Sequence, residues 1–241
     1  MIRKNSFYMT SNNNFDPLLR TRTIADMETK VSIPGNDGLL EGKMHLAKNM
    51  ASPLACVFHP HPLHGGTMNN KIVHNLCRTF QDLGFHTLRI NFRGVGTSQG
   101  TSVGGDEELD DALTAVDWFT KKCSIRNSDT FPIWVAGFSF GGWIALQAAM
   151  RRPEIAGFIA VSPPVETYHF NMLTPCPNGL IIQGTHDHII SAPAVKEFSG
   201  QLIRQKGCEV EFIELNADHY YSKSIEEFNK TTRDYLRNLI D

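Results

Sequence analysis

The chain has 241 residues, 23 Lys and Arg against 25 Asp and Glu, and a formal net charge of −2. At 41% hydrophobic and 20% charged residues it is not a disordered chain, and a chain of this length needs no disulfide or metal staple, because it buries about 70–75% of its unfolded surface. The near-neutral balance argues against a nucleic-acid binder, and no apolar run reaches the length of a membrane span.

Five scattered cysteines (Cys56, Cys77, Cys123, Cys176 and Cys208) form no C-x-x-C pair. They read as reduced thiols of a cytoplasmic protein. Arg3 and Lys4 are followed by the polar stretch 6–14 where a secretory signal needs an apolar core. Residues 1–22 carry Ser11-Asn12-Asn13-Asn14 and no periodicity, and are expected to be a flexible N-terminal extension. Residues 23–241 are expected to be a single domain.

Strands are predicted over 27–33 and 39–46, flanking the turn signal Pro34-Gly35-Asn36-Asp37-Gly38. A short apolar strand follows at 54–59, a helix at 70–83 and a strand at 85–92. Residues 106–122 form an amphipathic helix with Leu109, Ala112, Leu113, Val116 and Phe119 on one stripe. Its acids Asp106, Glu107 and Glu108 sit at the positive end of the helix dipole, and Lys121 and Lys122 at the negative end. A strand over 131–136 leads to a helix over 141–150 that is apolar on nearly all sides and is therefore buried. Strands at 155–161 and 179–183, a helix at 194–205, a strand at 209–215 and a closing helix at 224–240 complete the series. Strands alternating with helices predict an α/β fold, a mostly parallel sheet covered on both faces.

The pattern G-x-S-x-G occurs three times, at Gly96–Gly100, Gly100–Gly104 and Gly137–Gly141. A nucleophile elbow needs a strand before the serine, a helix directly after it and small residues around it. Only the third match has that context, so Ser139 is the candidate nucleophile, with a helix N-terminus aimed at developing negative charge. A serine hydroxyl needs a base, and a neutral histidine suits that task near neutral pH. In this kind of sheet the chain order is Ser, then acid, then His. His219 lies just past the strand ending at Leu215, on the face where such sheets carry ligands. Asp187 follows the strand Leu180-Ile181-Ile182-Gln183 and would hold the imidazole in the right tautomer. Asp218 is the rival acid, disfavoured because adjacent side chains rarely face one another.

His59-Pro60-His61-Pro62-Leu63-His64-Gly65-Gly66 follows the strand over 54–59. Its H-x-H-x-x-H spacing admits a metal-dependent hydrolase built on His59, His61 and His64. No carboxylate lies in the cluster, and two prolines stiffen it, so no metal or other cofactor is assigned. Read instead as an oxyanion loop, it offers the His61 N–H, with the Phe140 N–H as second donor. Asn91-Phe92-Arg93-Gly94-Val95-Gly96 lacks the third glycine of a dinucleotide fingerprint, and Arg93 is expected to lock neighbouring loops by hydrogen bonds.

In the order His59–Gly66, Asn91–Ser98, Gly137–Gly142, Gly184–Asp187 and Asp218–Tyr221, these motifs resemble the α/β-hydrolase superfamily. More narrowly they are similar to short bacterial serine hydrolases carrying H-P-H-P-x-x-G-G, some of them carboxylesterase-like. The resemblance spans residues 27–240. It implies an eight-stranded, mainly parallel sheet with the second strand antiparallel, and a serine-hydrolase triad. Thr185-His186 stands where an acidic or small polar residue is commoner in the family, which bears on the pocket rim.

Only 17 residues, 162–178, separate two core strands at the place where many lipases insert a lid, and four are proline. The expectation is an open site without a sizeable cap. Phe138, Phe140 and Met172 are candidate apolar walls, and His64, Tyr168, Phe170 and Tyr220 candidate substrate contacts. The substrate is expected to be a small or medium acyl ester, cleaved through an acyl-Ser139 intermediate, with thioesters and amides served by the same machinery. A non-catalytic binding module of the same fold is the remaining alternative, and the sequence assigns no oligomeric state.

Overall fold

The computed structural model describes residues 28–124, 131–170 and 177–240. The expected N-terminal extension, Cys176 and Met172 lie outside these residues. The strands are β1 (Thr29–Gly35), β2 (Gly38–His45), β3 (Leu54–Phe58), β4 (His86–Ile90), β5 (Ile133–Phe138), β6 (Ile155–Val161), β7 (Asn178–Gly184) and β8 (Val210–Leu215). The helices are α1 (Lys71–Asp82), α2 (Asp106–Cys123), α3 (Phe140–Arg151), α4 (Ala192–Ile203) and α5 (Ile225–Ile240). One eight-stranded sheet runs in the order β1-β2-β4-β3-β5-β6-β7-β8. Only β2 opposes its neighbours, pairing antiparallel with both β1 and β4.

Side chains alternate across a strand, and the core divides accordingly. Cys56 and Val135 face a layer built with α2, α3 and α4, while Val57, Trp134 and Ala136 face a layer built with α1 and α5. Helix α3 is buried from Phe140 through Met150, as its all-round apolar sequence predicts.

Two of the boundaries that differ from the sequence reading have a local physical reason. The first turn shrinks to Asn36 and Asp37, with Gly35 paired to Gly38 and Pro34 inside β1. That strand is a sheet edge, where a missing N–H costs no ladder bond. Helix α4 begins at Ala192 rather than 194, because the Ser191 side chain accepts from the Ala194 N–H at 3.3 Å and Pro193 fits the first turn.

The loops leaving the strands at their C-terminal ends are fastened by buried polar groups. Arg93, just past β4, makes a two-pronged contact with Asp111 of α2. Nε donates to Oδ2 at 3.0 Å and Nη2 to Oδ1 at 2.7 Å, while the Arg93 N–H also donates to Oδ2 at 3.0 Å. Glu108 is fully buried and takes four donors: the Ser102 hydroxyl and the N–H groups of Val103, Gly104 and Gly105. Burial would raise its carboxyl, and these hydrogen bonds instead hold it below the ordinary value. Glu108 therefore organises the loop before α2, beyond serving the helix dipole.

His59 is also buried. Its Nδ1 donates to the Pro60 carbonyl at 2.6 Å, and its Nε2 accepts from the Phe92 N–H at 3.1 Å, which fixes a neutral imidazole joining the loops after β3 and β4.

Two outcomes follow for stability. Asp111→Ala leaves the Arg93 guanidinium buried without its partner and costs about 3–5 kcal/mol in urea unfolding. Burial holds His59 down at about 4, against 6.5 for the ordinary group. Between those values the unfolded chain binds a proton that the folded chain refuses. The stability is fully present above 6.5 and is lost as pH falls toward 4, by about 3 kcal/mol. Urea titrations at pH 7, 5 and 4 measure this slope, and His59→Asn flattens it.

Candidate active site

Strand β5 and helix α3 meet at Ser139 with no loop between them. Ser139 has φ 54° and ψ −119°, a left-handed backbone rare for a residue with a side chain. Its N–H donates to the Val161 carbonyl at 2.8 Å, and its carbonyl accepts from the N–H groups of Gly142 and Trp143 at 2.8 and 3.2 Å. The glycines on either side are sterically required. A Cβ on Gly137 would lie 2.0 Å from the Gly141 carbonyl oxygen, and one on Gly141 would lie 2.3 Å from that of Phe58. Ser139 is partly exposed while both its neighbours are buried.

The other two motif serines are structural. The Ser98 hydroxyl donates to the Asn91 carbonyl and accepts from the Glu41 N–H, both at 2.8 Å. The Ser102 hydroxyl donates to Glu108 at 2.6 Å.

Asp187 and His219, 32 positions apart, meet at the ends of β7 and β8: His219 Nδ1 lies 2.7 Å from Asp187 Oδ2. The carboxylate is wholly buried, and the imidazole side chain is 7% exposed. Oδ1 accepts from the Ile189 and Ile190 N–H groups at 2.9 and 2.8 Å, and Gln183 Nε2 donates to Oδ2 at 3.1 Å. Burial would raise the Asp187 carboxyl. The bonds from His219 and from the Ile190 and Ile189 amides outweigh it and hold the group below its usual value. The rival acid Asp218 faces solvent and bonds instead to the Ser222 N–H. The His219 ring lies 4.9 Å from that of Phe138, the residue before Ser139. Ser139 Oγ and His219 Nε2 each lack a hydrogen-bond partner among the described residues, and such bonds are often open in a ligand-free enzyme.

The His61 and Phe140 rings stand 5.1 Å apart, and neither residue's N–H meets an acceptor among the described residues. His61 Nδ1 accepts from the Leu63 N–H at 3.2 Å, and the ring stacks on His64 at 4.4 Å. With both ring nitrogens of His59 already engaged, the three histidines do not converge as ligands. Among the described residues no group of three or more His, Cys, Asp or Glu is placed to hold a metal ion.

Of the expected walls, Phe138 and Phe140 are core residues, 0% and 1% exposed. Tyr168 stacks on Trp143 at 4.6 Å and donates its hydroxyl to the Gly104 carbonyl at 3.2 Å. Phe170 packs on Phe198 at 4.4 Å, while His64 and Tyr220 are exposed. The described part of the connection after β6, residues 162–170, contains no helix. Trp143 Nε1 and Gln147 Nε2 donate to its His169 carbonyl, at 3.2 and 3.3 Å.

The sequence reading missed Gln183, Glu108, Ser162 and Tyr221. Gln183 carried a signal, a lone amide closing an apolar strand. Tyr221 lies inside the Asp218–Tyr221 motif, but nothing there separates it from Tyr220, from which it differs in how the chain turns.

The family model for serine aminopeptidase, S33, matches residues 61–179. A protein of unknown function from Agrobacterium tumefaciens is 42% identical, covering 88% of this chain and 96% of the other, with a TM-score of 0.83. An α/β serine hydrolase homologue from Coxiella burnetii is 32% identical, covering 90% and 100% with a TM-score of 0.76. A serine hydrolase without lid from Xanthomonas campestris is 29% identical, covering 93% and 98% with a TM-score of 0.77. Together with the sheet order, these matches show that the chain belongs to the α/β-hydrolase superfamily, with no cap domain among the described residues.

Proposed function

We propose that this hydrolase cleaves carboxylic esters through an acyl-enzyme on Ser139, with His219 as base and Asp187 as its orienting acid. The carrying observation is the 2.7 Å bond between a wholly buried Asp187 carboxylate and His219, whose ring lies 4.9 Å from that of Phe138, the residue before the left-handed Ser139. In the first half-reaction Ser139 Oγ attacks the acyl carbonyl and His219 Nε2 takes its proton. Asp187 accepts from Nδ1–H and stabilises the imidazolium. The free N–H groups of His61 and Phe140 receive the negative charge on the carbonyl oxygen, each such donor supplying roughly 2.7–4 kcal/mol in the transition state. His219 returns the proton to the departing alcohol, then activates a water that releases the acid and restores Ser139.

Four exposed apolar residues support an ester with an apolar acyl group. Leu63, Val103, Ile189 and Tyr220, 55–62% exposed, sit on the loops after β3, β4, β7 and β8, the ends from which the candidate site is built. His64 and Tyr168 border the same mouth in this reading.

A fluorophosphonate probe should label the wild-type protein and leave Ser139→Ala unlabelled; equal labelling of both removes Ser139 as nucleophile. Ser139→Ala lowers kcat by roughly five to six orders of magnitude. Asp187→Asn lowers it by about 10⁴-fold, because the imidazole loses its correct tautomer. On p-nitrophenyl esters, kcat/KM should rise from acetate to hexanoate by up to about fourfold per methylene as the chain reaches the apolar rim. A flat profile means that the rim does not hold the acyl chain.

A further inference from the structure

We propose that the buried contact between Ser162 and Tyr221 is a latch that positions the His219 loop against the Ser139 elbow. Its role rests on the ester-hydrolase reading above. Among the described residues only three with side chains have a left-handed backbone: Ser139 at φ 54°, Ser162 at 46° and Tyr221 at 52°. Such conformations persist only where the surroundings over-determine them, and they collect at functional sites. Ser139 is the proposed nucleophile. The other two touch each other, with Ser162 Oγ 3.1 Å from the Tyr221 hydroxyl.

The three belong to one connected path. The Ser139 N–H donates to the carbonyl of Val161, the residue before Ser162. The Ser162 N–H donates to the Ile182 carbonyl of β7 at 2.9 Å, and the Tyr221 hydroxyl donates to that same carbonyl at 3.3 Å. The phenol proton is thereby committed to Ile182, and the Ser162 hydroxyl donates to the phenol oxygen. The Tyr221 N–H donates to the Asp218 carbonyl at 3.1 Å, closing a tight turn around His219.

His219 thus has two supports. Asp187 fixes the ring, and Tyr221 fixes the backbone that carries the ring to the ends of β6 and β7. Both latch residues are 0% exposed, so neither hydroxyl meets substrate. They are positioning residues. Burial pushes the Tyr221 phenol far above its ordinary range, which keeps it a donor at any working pH. Its ring remains packed on Phe228, 5.2 Å away, when the hydroxyl is removed.

Two substitutions separate positioning from simple stability. Tyr221→Phe removes the hydroxyl and keeps the ring. Ser162→Gly removes the other hydroxyl and at the same time relieves the left-handed strain. Fluorophosphonate labelling rate, p-nitrophenyl butyrate kinetics and thermal melting are measured on each variant, on the double variant and on the wild type. The expected result is a kcat and a labelling rate lower by about ten- to a hundredfold. KM stays near wild type, melting stays within a few degrees, and the double variant loses no more than the worse single one. Variants that label and turn over at the wild-type rate overturn the latch. So does a loss of activity that only tracks a loss of melting temperature. A wild-type protein that fails to label overturns the ester-hydrolase reading itself, and the latch with it.

Discussion

The left-handed backbone at Ser139 is the constraint on which the site depends. A residue with a side chain at φ 54° and ψ −119° costs roughly 1–3 kcal/mol, and three hydrogen bonds to Val161, Gly142 and Trp143 hold it. The close approach of Gly141 to the Phe58 carbonyl ties the elbow to β3, and the Val161 bond ties it to β6. The elbow therefore exists only inside an assembled parallel sheet. Helix α3 completes the arrangement: it is buried along nearly its whole length, so its N-terminal N–H groups are fixed in direction before any substrate arrives.

Around that elbow, desolvation is repeatedly balanced by hydrogen bonding. Strand ends leave backbone groups without ladder partners, and those groups must be satisfied where they are buried. Glu108 gathers three N–H groups before α2, Asp187 gathers two after β7, and His59 joins the loops after β3 and β4. Burial opposes the charge on Glu108 and Asp187, yet both end below their ordinary values. His59 has no opposing charge close enough to win and stays neutral. Each loop thus carries its own fastening, and the sheet sets their spacing.

The sequence made the backbone order legible because hydrophobic period and motif order are local signals. Ser139 is singled out by strand and helix context, and Asp187 and His219 by chain order, as candidates. What the sequence left open were contacts between loops far apart in the chain. His59, grouped with His61 and His64 by spacing, is separated from them by burial and by its bond to the Phe92 N–H. Glu108 looked like a dipole partner because helix periodicity does not report what lies before the helix. Ser162 and Tyr221, 59 positions apart, share no motif, and their left-handed angles arise from tertiary contacts that no neighbouring residue announces.

The connection after β6 bears on the chemistry as well as on the fold. Closed sites protect reactive intermediates from water, whereas a hydrolase must admit water to its acyl-enzyme. Trp143, Gln147 and Tyr168 hold the described part of that connection against α3 and the loop before α2. With no lid among the described residues, the proposed mechanism rests transition-state stabilisation on groups already in place: the N–H groups of His61 and Phe140, and His219 held at its ring by Asp187. In the proposed mechanism such preorganisation takes the place of closure, and the buried polar bonds of these loops are what would supply it.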